Sequence, residues 1–343
     1  MKRQLIFCTF LSLLLVCSKA VAQESPEKGQ EEKEYVITGS PIITVFADYH
    51  AGIGEQNNIS GFGLSRALLG YQFKLSPTLT GRAVIDAAVS PTEEYLSSQK
   101  REVYLRNAML TWKDKGFTIN AGLTGLHQFN LQERFWGYRY VSQVFQDLYK
   151  MGASVDMAIT AEYQFTSWLS SDFSISNGEG YKNLNTDNKY RYALGVTLQP
   201  FKNLTFRAYG DIYQQSEQDE TQRTLALFAG YKTDCFSLGA EYNYQENNKW
   251  IAGNSYSGYS VYTTVPINKK WNIFGRYDNI DSEDSNHKQW NSFTGDAVIA
   301  GIEYHPIKQL KIAPNYKYTK HLDTKQEGSD ISHVVYLNIL FNW

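Results

Sequence analysis

The chain has 343 residues, with 25 Tyr, 18 Phe, 7 Trp and a formal charge of −2, and its mean hydropathy is −0.42. So many aromatics on so polar an average fit strands that are greasy on one face and wet on the other, and beyond the first 22 residues no segment is long and apolar enough for a helical span. The slightly acidic balance excludes a basic nucleic-acid binder, and Cys235, the single cysteine outside residues 1–22, leaves no intrachain disulfide framework.

Lys2 and Arg3 precede a short apolar run, Leu5 to Val16, and Ala20-Val21-Ala22 reads as an A-x-A cleavage site, so residues 1–22 are predicted to be a signal peptide. Cys17 raises a lipoprotein alternative, although Val16 is a poor small residue before it. Removing 1–22 takes away Lys2, Arg3 and Lys19 and leaves 30 basic and 35 acidic residues, a formal charge of −5. Residues 23–40 form a lead-in, polar and free of aromatics over 23–34, and expected in the periplasm.

From residue 41 to 343 alternating segments recur at a steady pace. The predicted strands are 41–50, 62–74, 79–89, 102–113, 116–127, 153–166, 168–176, 189–199, 203–214, 222–233, 235–246, 256–267, 270–280, 294–305, 309–319 and 331–343. Connections alternate short and long, as in membrane barrels with short periplasmic turns and longer outer loops, so both termini are expected in the periplasm. Within 204–212, Leu204, Phe206, Ala208 and Ile212 share one face while Arg207 and Asp211 point the other way. The last strand places Val335, Leu337, Ile339, Phe341 and Trp343 on one face, with Leu340 the apolar exception on the other. A final strand that stops on an aromatic is what the closing strand of an outer-membrane barrel looks like. The predicted fold is an all-β, transmembrane, antiparallel up-and-down barrel of about sixteen strands.

Charges within such strands face water, because lipid penalises them heavily. Phasing places Arg82, Arg106, Arg207 and Arg276 at a middle level of the lumen, with Glu162, Asp172 and Glu241 at a similar level. Opposed charges across a narrow pore would create a transverse field; basic residues alone would favour anions. The alternative is that these charges pair among themselves, for example Arg66 with Asp86 and Arg191 with Asp211.

The connection 128–152 is the third and longest outer loop, and it carries Phe135, Trp136, Tyr138, Tyr140, Val144, Phe145, Leu148 and Tyr149. Left in water, so apolar a segment would be costly. It is therefore expected to fold into the barrel, with a helical turn or two around 142–149. There it would narrow the pore and present Glu133, Arg134, Arg139 or Asp147 to solutes, with Trp136 and Tyr138 as packing anchors.

The runs Arg134-Phe135-Trp136-Gly137-Tyr138-Arg139-Tyr140-Val141, Phe145-Gln146-Asp147, Gly152-Ala153-Ser154-Val155-Asp156-Met157 and Ile175-Ser176-Asn177-Gly178-Glu179-Gly180-Tyr181 resemble the phosphate-selective porin O/P family. The resemblance implies a sixteen-stranded outer-membrane channel, often trimeric, with a constriction lined by the infolded third loop. In characterised members anion or phosphate selectivity depends on a basic pore ladder; here the basic set is scattered and mixed with acids.

The expected function is an outer-membrane porin of a Gram-negative bacterium, passing small hydrophilic solutes or inorganic anions, with anion or phosphate preference as the finer expectation. Expected partners are outer-membrane lipids, permeating solutes and two further copies in a homotrimer, with no nucleic acid, cofactor, metal or catalytic residue. The six histidines are dispersed without ligand spacing. Two alternatives stand beside this: a barrel enzyme of lipase or protease type, for which His127 and Ser154 border the third loop without a joining motif, and a non-conducting structural or adhesive barrel.

Overall fold

The computed structural model describes residues 35–54, 60–89, 101–183, 188–214, 220–323 and 328–343. The predicted signal peptide and the lead-in over 23–34 lie outside the described residues.

Sixteen strands follow one another: β1 (Thr38–Gly52), β2 (Ser60–Lys74), β3 (Leu79–Val89), β4 (Arg101–Asp114), β5 (Phe117–Gly125), β6 (Val155–Thr166), β7 (Leu169–Ser176), β8 (Arg191–Phe201), β9 (Leu204–Tyr213), β10 (Gln222–Lys232), β11 (Ser237–Glu246), β12 (Ser255–Pro266), β13 (Trp271–Glu283), β14 (Gly295–Ile307), β15 (Leu310–Asp323) and β16 (Gly328–Asn342). Each pairs antiparallel with its neighbours in sequence, and β16 pairs with β1 to close the barrel. Each predicted segment corresponds to one of these strands, with ends differing by a few residues. Closure leaves no open sheet edge, the condition for strands in lipid.

Short turns and long connections alternate, so the short turns gather at the barrel end where β1 begins and β16 ends. In the β4–β5 hairpin both central residues, Lys115 (φ 44) and Gly116 (φ 87), take positive φ. A two-residue turn that continues the strand twist needs this geometry, and Gly116 adopts it without steric cost. An outward girdle of aromatics rings this end, with Phe117 tilted against Tyr163 (4.2 Å), Tyr231 near Phe236 (5.7 Å) and Trp271 stacked on Tyr304 (4.4 Å). Such rings suit the boundary between hydrocarbon and headgroups.

Alternation along the strands assigns the faces. On β10, Gln222, Thr224, Ala226 and Phe228 are buried toward the interior, while Arg223, Leu225 and Leu227 face out. Of the register shifts between strands, two lie on neighbouring parts of the wall well away from the short turns. The register slips past Ser65 on β2 and past Arg106 on β4, which makes each the extra residue of a β-bulge. A bulge re-aims side chains, so Ser65 joins Arg66 and Arg106 joins Asn107 on the lumen side.

The interior is two-sided. Facing inward on β10 to β15 are Phe228, Tyr262, Phe274, Ile299 and Ala313, an apolar patch within the wall. The connection between β5 and β6, here L3, packs its Phe129, Trp136, Tyr138, Tyr140, Val141 and Val144 onto that patch, with Phe46 and Leu340 at its margin. Leu340, the apolar exception of the last strand, thus has its partner. A second cluster joins Phe145, Tyr149 and Met151 of L3 to Tyr256 and Ile280. The two clusters that hold L3 are therefore loop against wall, and a smaller one, Ala193, Tyr209 and Ala226, lies within β8 to β10.

Candidate functional site

L3 narrows the barrel because it has greasy side chains to hide and a wall shaped to receive them. The helical turn expected within 142–149 is present at Phe145–Leu148, and a longer helix, Asn130–Trp136, precedes it. Gly137 ends the first helix in the left-handed region (φ 73), its N–H donating to Glu133 O. Gly258 on β12 leaves the space that Phe145 fills: a Cβ there would lie 2.5 Å from Phe145 Cζ.

Polar ties fix what packing positions. The Tyr140 hydroxyl donates to Glu303 Oε2 at 2.7 Å and the Tyr149 hydroxyl to Asp278 Oδ2 at 3.0 Å. Burial first, and the neighbouring carboxylate second, push both phenols well above the ordinary tyrosine range, which keeps them protonated as donors. Wall side chains donate to loop carbonyls: Arg276 to Gln143 O at 2.5 Å, Asn338 to Tyr140 O at 3.1 Å, Gln245 to Met151 O at 2.9 Å and Arg207 to His127 O at 3.0 Å. Within L3, Arg139 bridges Glu133 and Asp147. Burial opposes its charge, but Asp147 and Glu133 outweigh burial and hold the guanidinium above the ordinary arginine range.

Beside L3 an opening of about 440 Å³ remains, bounded by β1, β2, β15, β16 and the segment 139–143. Its charged lining is Arg66, Arg139, Lys182 and Lys317 against one carboxylate, Asp48. The cations are backed in different ways. Lys317 Nζ lies 4.2 Å from the Tyr336 ring centre and donates to Val141 O at 2.5 Å. Arg66 Nε stands 3.3 Å from Asp86 Oδ2, which also takes Arg106 Nη1 at 3.7 Å. Asp48 receives His50 Nδ1 at 2.8 Å. Four cations against one carboxylate bias a small ion at this opening by charge.

The residues singled out from sequence separate into two groups. Arg106 lies on the open wall, and Arg82 is half-buried on the lumen face of β3. Arg139 lines the opening, with Glu133 held behind it. Arg134 faces a separate pocket of about 220 Å³ beneath L3, near Lys232, His305 and Lys311. Glu162 is half-buried on β6, opposite Asp172 in register. Arg207, Arg276, Asp172 and Glu241 sit deep in the wall. Arg207 pairs with Asp172 at 2.5 Å, and Arg276 with Asp278 at 2.6 Å. Glu241 accepts from Asn243 at 3.1 Å. The alternative pairing of Arg66 with Asp86 is present, and Arg191 and Asp211 attract each other through their charges without ion-pair contact, Arg191 lying over the Tyr213 ring at 5.2 Å. Among the described residues His127 and Ser154 share no hydrogen bond; the His127 carbonyl instead accepts from Arg207.

Lys182, Lys317 and Tyr336 were not in the sequence-derived site. Strand phase gives the face of Lys317 but not its height. Lys182 follows the Ile175–Tyr181 run in a connection, where strand phasing gives no direction.

No protein-family model matches the chain, and no curated protein is detectably similar to it in sequence. Solved structures do share its fold. The outer membrane channel DcaP of Acinetobacter baumannii is 15% identical with a TM-score of 0.65, covering 92% of this chain and 99% of that one. OmpF of Salmonella typhi, solved in complex with daunomycin, is 12% identical with a TM-score of 0.68, covering 89% and 97%. An anion-selective porin from Comamonas acidovorans is 10% identical with a TM-score of 0.64, covering 90% and 100%. At these identities the likeness establishes the barrel fold.

Proposed function

We propose that this protein is an outer-membrane porin, a passive channel for small hydrophilic solutes with a preference for anions. One observation carries it: L3 narrows a sixteen-stranded barrel to an opening whose charged lining is four cations and one carboxylate. A barrel of this size keeps an aqueous path unless something fills it, and L3 occupies one side. The fold shared with DcaP, OmpF and the Comamonas porin supports the channel reading. Placement in a Gram-negative outer membrane follows from the outward apolar face, the aromatic girdle and the predicted signal peptide. Periplasmic termini follow from the short-turn end, and assembly as a homotrimer from the resemblance to the porin O/P family.

The lining argues for anions as a class rather than for phosphate. For an enzymatic role the bordering pair would be His127 and Ser154, and among the described residues these two share no hydrogen bond, the His127 carbonyl accepting from Arg207 instead. Purified protein in planar bilayers should conduct, with a reversal potential in a KCl gradient on the anion-selective side. A folded protein that never conducts would remove the channel reading; a cation-selective one would remove the anion preference alone.

A further inference from the structure

The connection between β7 and β8, here L4, turns back toward the open side of the barrel. Gly178 N–H donates to Asp156 Oδ2 at 2.6 Å, and Tyr181 N–H to Val155 O at 3.1 Å. The Tyr181 hydroxyl then reaches Asp86 Oδ2 at 2.9 Å. Asp86 is fully buried, and the same oxygen faces Arg66 Nε and Arg106 Nη1. One carboxylate thus serves two guanidiniums and a phenol. Arg106 Nη1 has no hydrogen-bond acceptor, and its guanidinium lies 5.4 Å from the Tyr181 ring centre. Next in sequence, Lys182 Nζ stands over the Tyr104 ring at 4.7 Å. Rings support a cation without neutralising it.

We propose that Arg66, Arg106 and Lys182 form an anion-binding station on the channel wall that takes small carboxylates, and that Tyr181 is its positioning residue through Asp86. The proposal rests on the channel reading. Guanidinium forks match the two oxygens of a carboxylate, which a spherical halide cannot exploit. Glu102, hydrogen-bonded by Tyr104, and Glu179, on L4, flank the cluster. They keep binding weak, as a permeation site requires if the anion is to leave again. Arg66 and Lys182 also line the L3 opening, so an anion released from the station is already at the constriction.

The test uses the full-length protein in planar bilayers, with KCl gradients for anion-to-cation permeability and KCl against potassium acetate for acetate-to-chloride permeability. Lys182→Glu should lower the anion-to-cation ratio roughly three- to tenfold. Arg106→Lys keeps the charge but loses the fork, so it should lower the acetate-to-chloride ratio about threefold while leaving the anion-to-cation ratio in place. Tyr181→Phe should lower both ratios partway with no charge removed. Lys182→Gln serves if the charge reversal prevents folding. Wild-type ratios in every variant, in a channel whose anion preference still yields to Lys317→Glu, would overturn the station and leave the channel reading standing. A wild-type protein without conductance would strike the channel reading instead.

Discussion

Lys317 and Tyr336 meet across the β15–β16 pair, the ammonium 4.2 Å from the ring centre. Among the described residues no carboxylate comes within ion-pair distance of Lys317; Asp48 is the one acid lining the same opening. A cation propped by an aromatic face and a loop carbonyl keeps its field directed at the opening it lines. Arg207 and Arg276 show the opposite arrangement, with their charges spent on Asp172 and Asp278 inside the wall.

Charge reversal at Lys317 should therefore be felt by ions. For Lys317→Glu we expect the anion-to-cation permeability ratio to fall roughly three- to tenfold, with the barrel still folded. Reversal potentials measure the ratio, and heat-dependent mobility in detergent gels reports folding. An unchanged reversal potential would take Lys317 out of the conducting path.

Arg207→Ala should behave differently. Its partner Asp172 is 8% exposed and would be left without its guanidinium. Breaking a buried pair from one side costs about 3–5 kcal/mol. We expect a lower urea midpoint for refolded protein in lipid, with ion selectivity close to wild type in the molecules that fold. A normal midpoint with altered selectivity would invert the roles given to the two kinds of arginine.

Excising Gly137–Gln143 removes the segment of L3 that borders the opening, together with its ties to Glu303 and Asn338. Single-channel conductance should rise, because the remaining wall of β1, β2, β15 and β16 is that of an open barrel. The same deletion should weaken anion preference, since Arg139 leaves with it. Conductance equal to wild type would mean that ions pass elsewhere.

Lys182 supplies a pH signature. Burial lowers its pKa below the ordinary lysine value of 10.5, outweighing the pull of Asp86. In the window just below 10.5 the folded protein has lost a proton that the unfolded chain still holds. On that account stability rises as pH climbs through the window, while the channel loses a cation. Anion preference should thus fall on alkalinisation before any unfolding; Lys317 lines the same opening, so the part due to Lys182 is read in a Lys317→Arg background, where Lys182→Arg should flatten the fall. Reversal potentials across a pH series, with circular dichroism in parallel, decide it.

Strand periodicity made the wall legible because lipid outside and water inside impose the same two-residue rhythm on every strand. Arg207 shows where that rhythm stops being informative: phase gives its face, yet nothing in β9 says that Asp172, 35 residues away, will claim it. Phe274 and Ile299 face inward beside apolar neighbours, which blurs the alternation at the patch that receives L3. The aromatic content of L3 still disclosed that it must fold in. Lys182 escaped because L4 is irregular, and its direction depends on ties from Gly178 and Tyr181 to residues distant in sequence, Asp156, Val155 and Asp86. Bulges at Ser65 and Arg106 add one residue each, a shift that phasing from one end of a strand cannot detect.

Adjacent residues on β10 test the solvent assignment on which the channel rests. Ala226 is 1% exposed toward the interior, and Leu227 is 45% exposed on the outer face. Were the outer face in water, Leu227→Arg would be harmless or would improve solubility. In hydrocarbon an arginine costs about 2–4 kcal/mol near the midplane and less toward either interface. We expect Leu227→Arg to lower the urea midpoint of the barrel refolded into vesicles, and Arg223→Leu, nearer the end of the strand that bears the long connections, to change it little. Equal tolerance of arginine at Leu225 and Leu227 in lipid would place this face outside the bilayer and remove the membrane from the account.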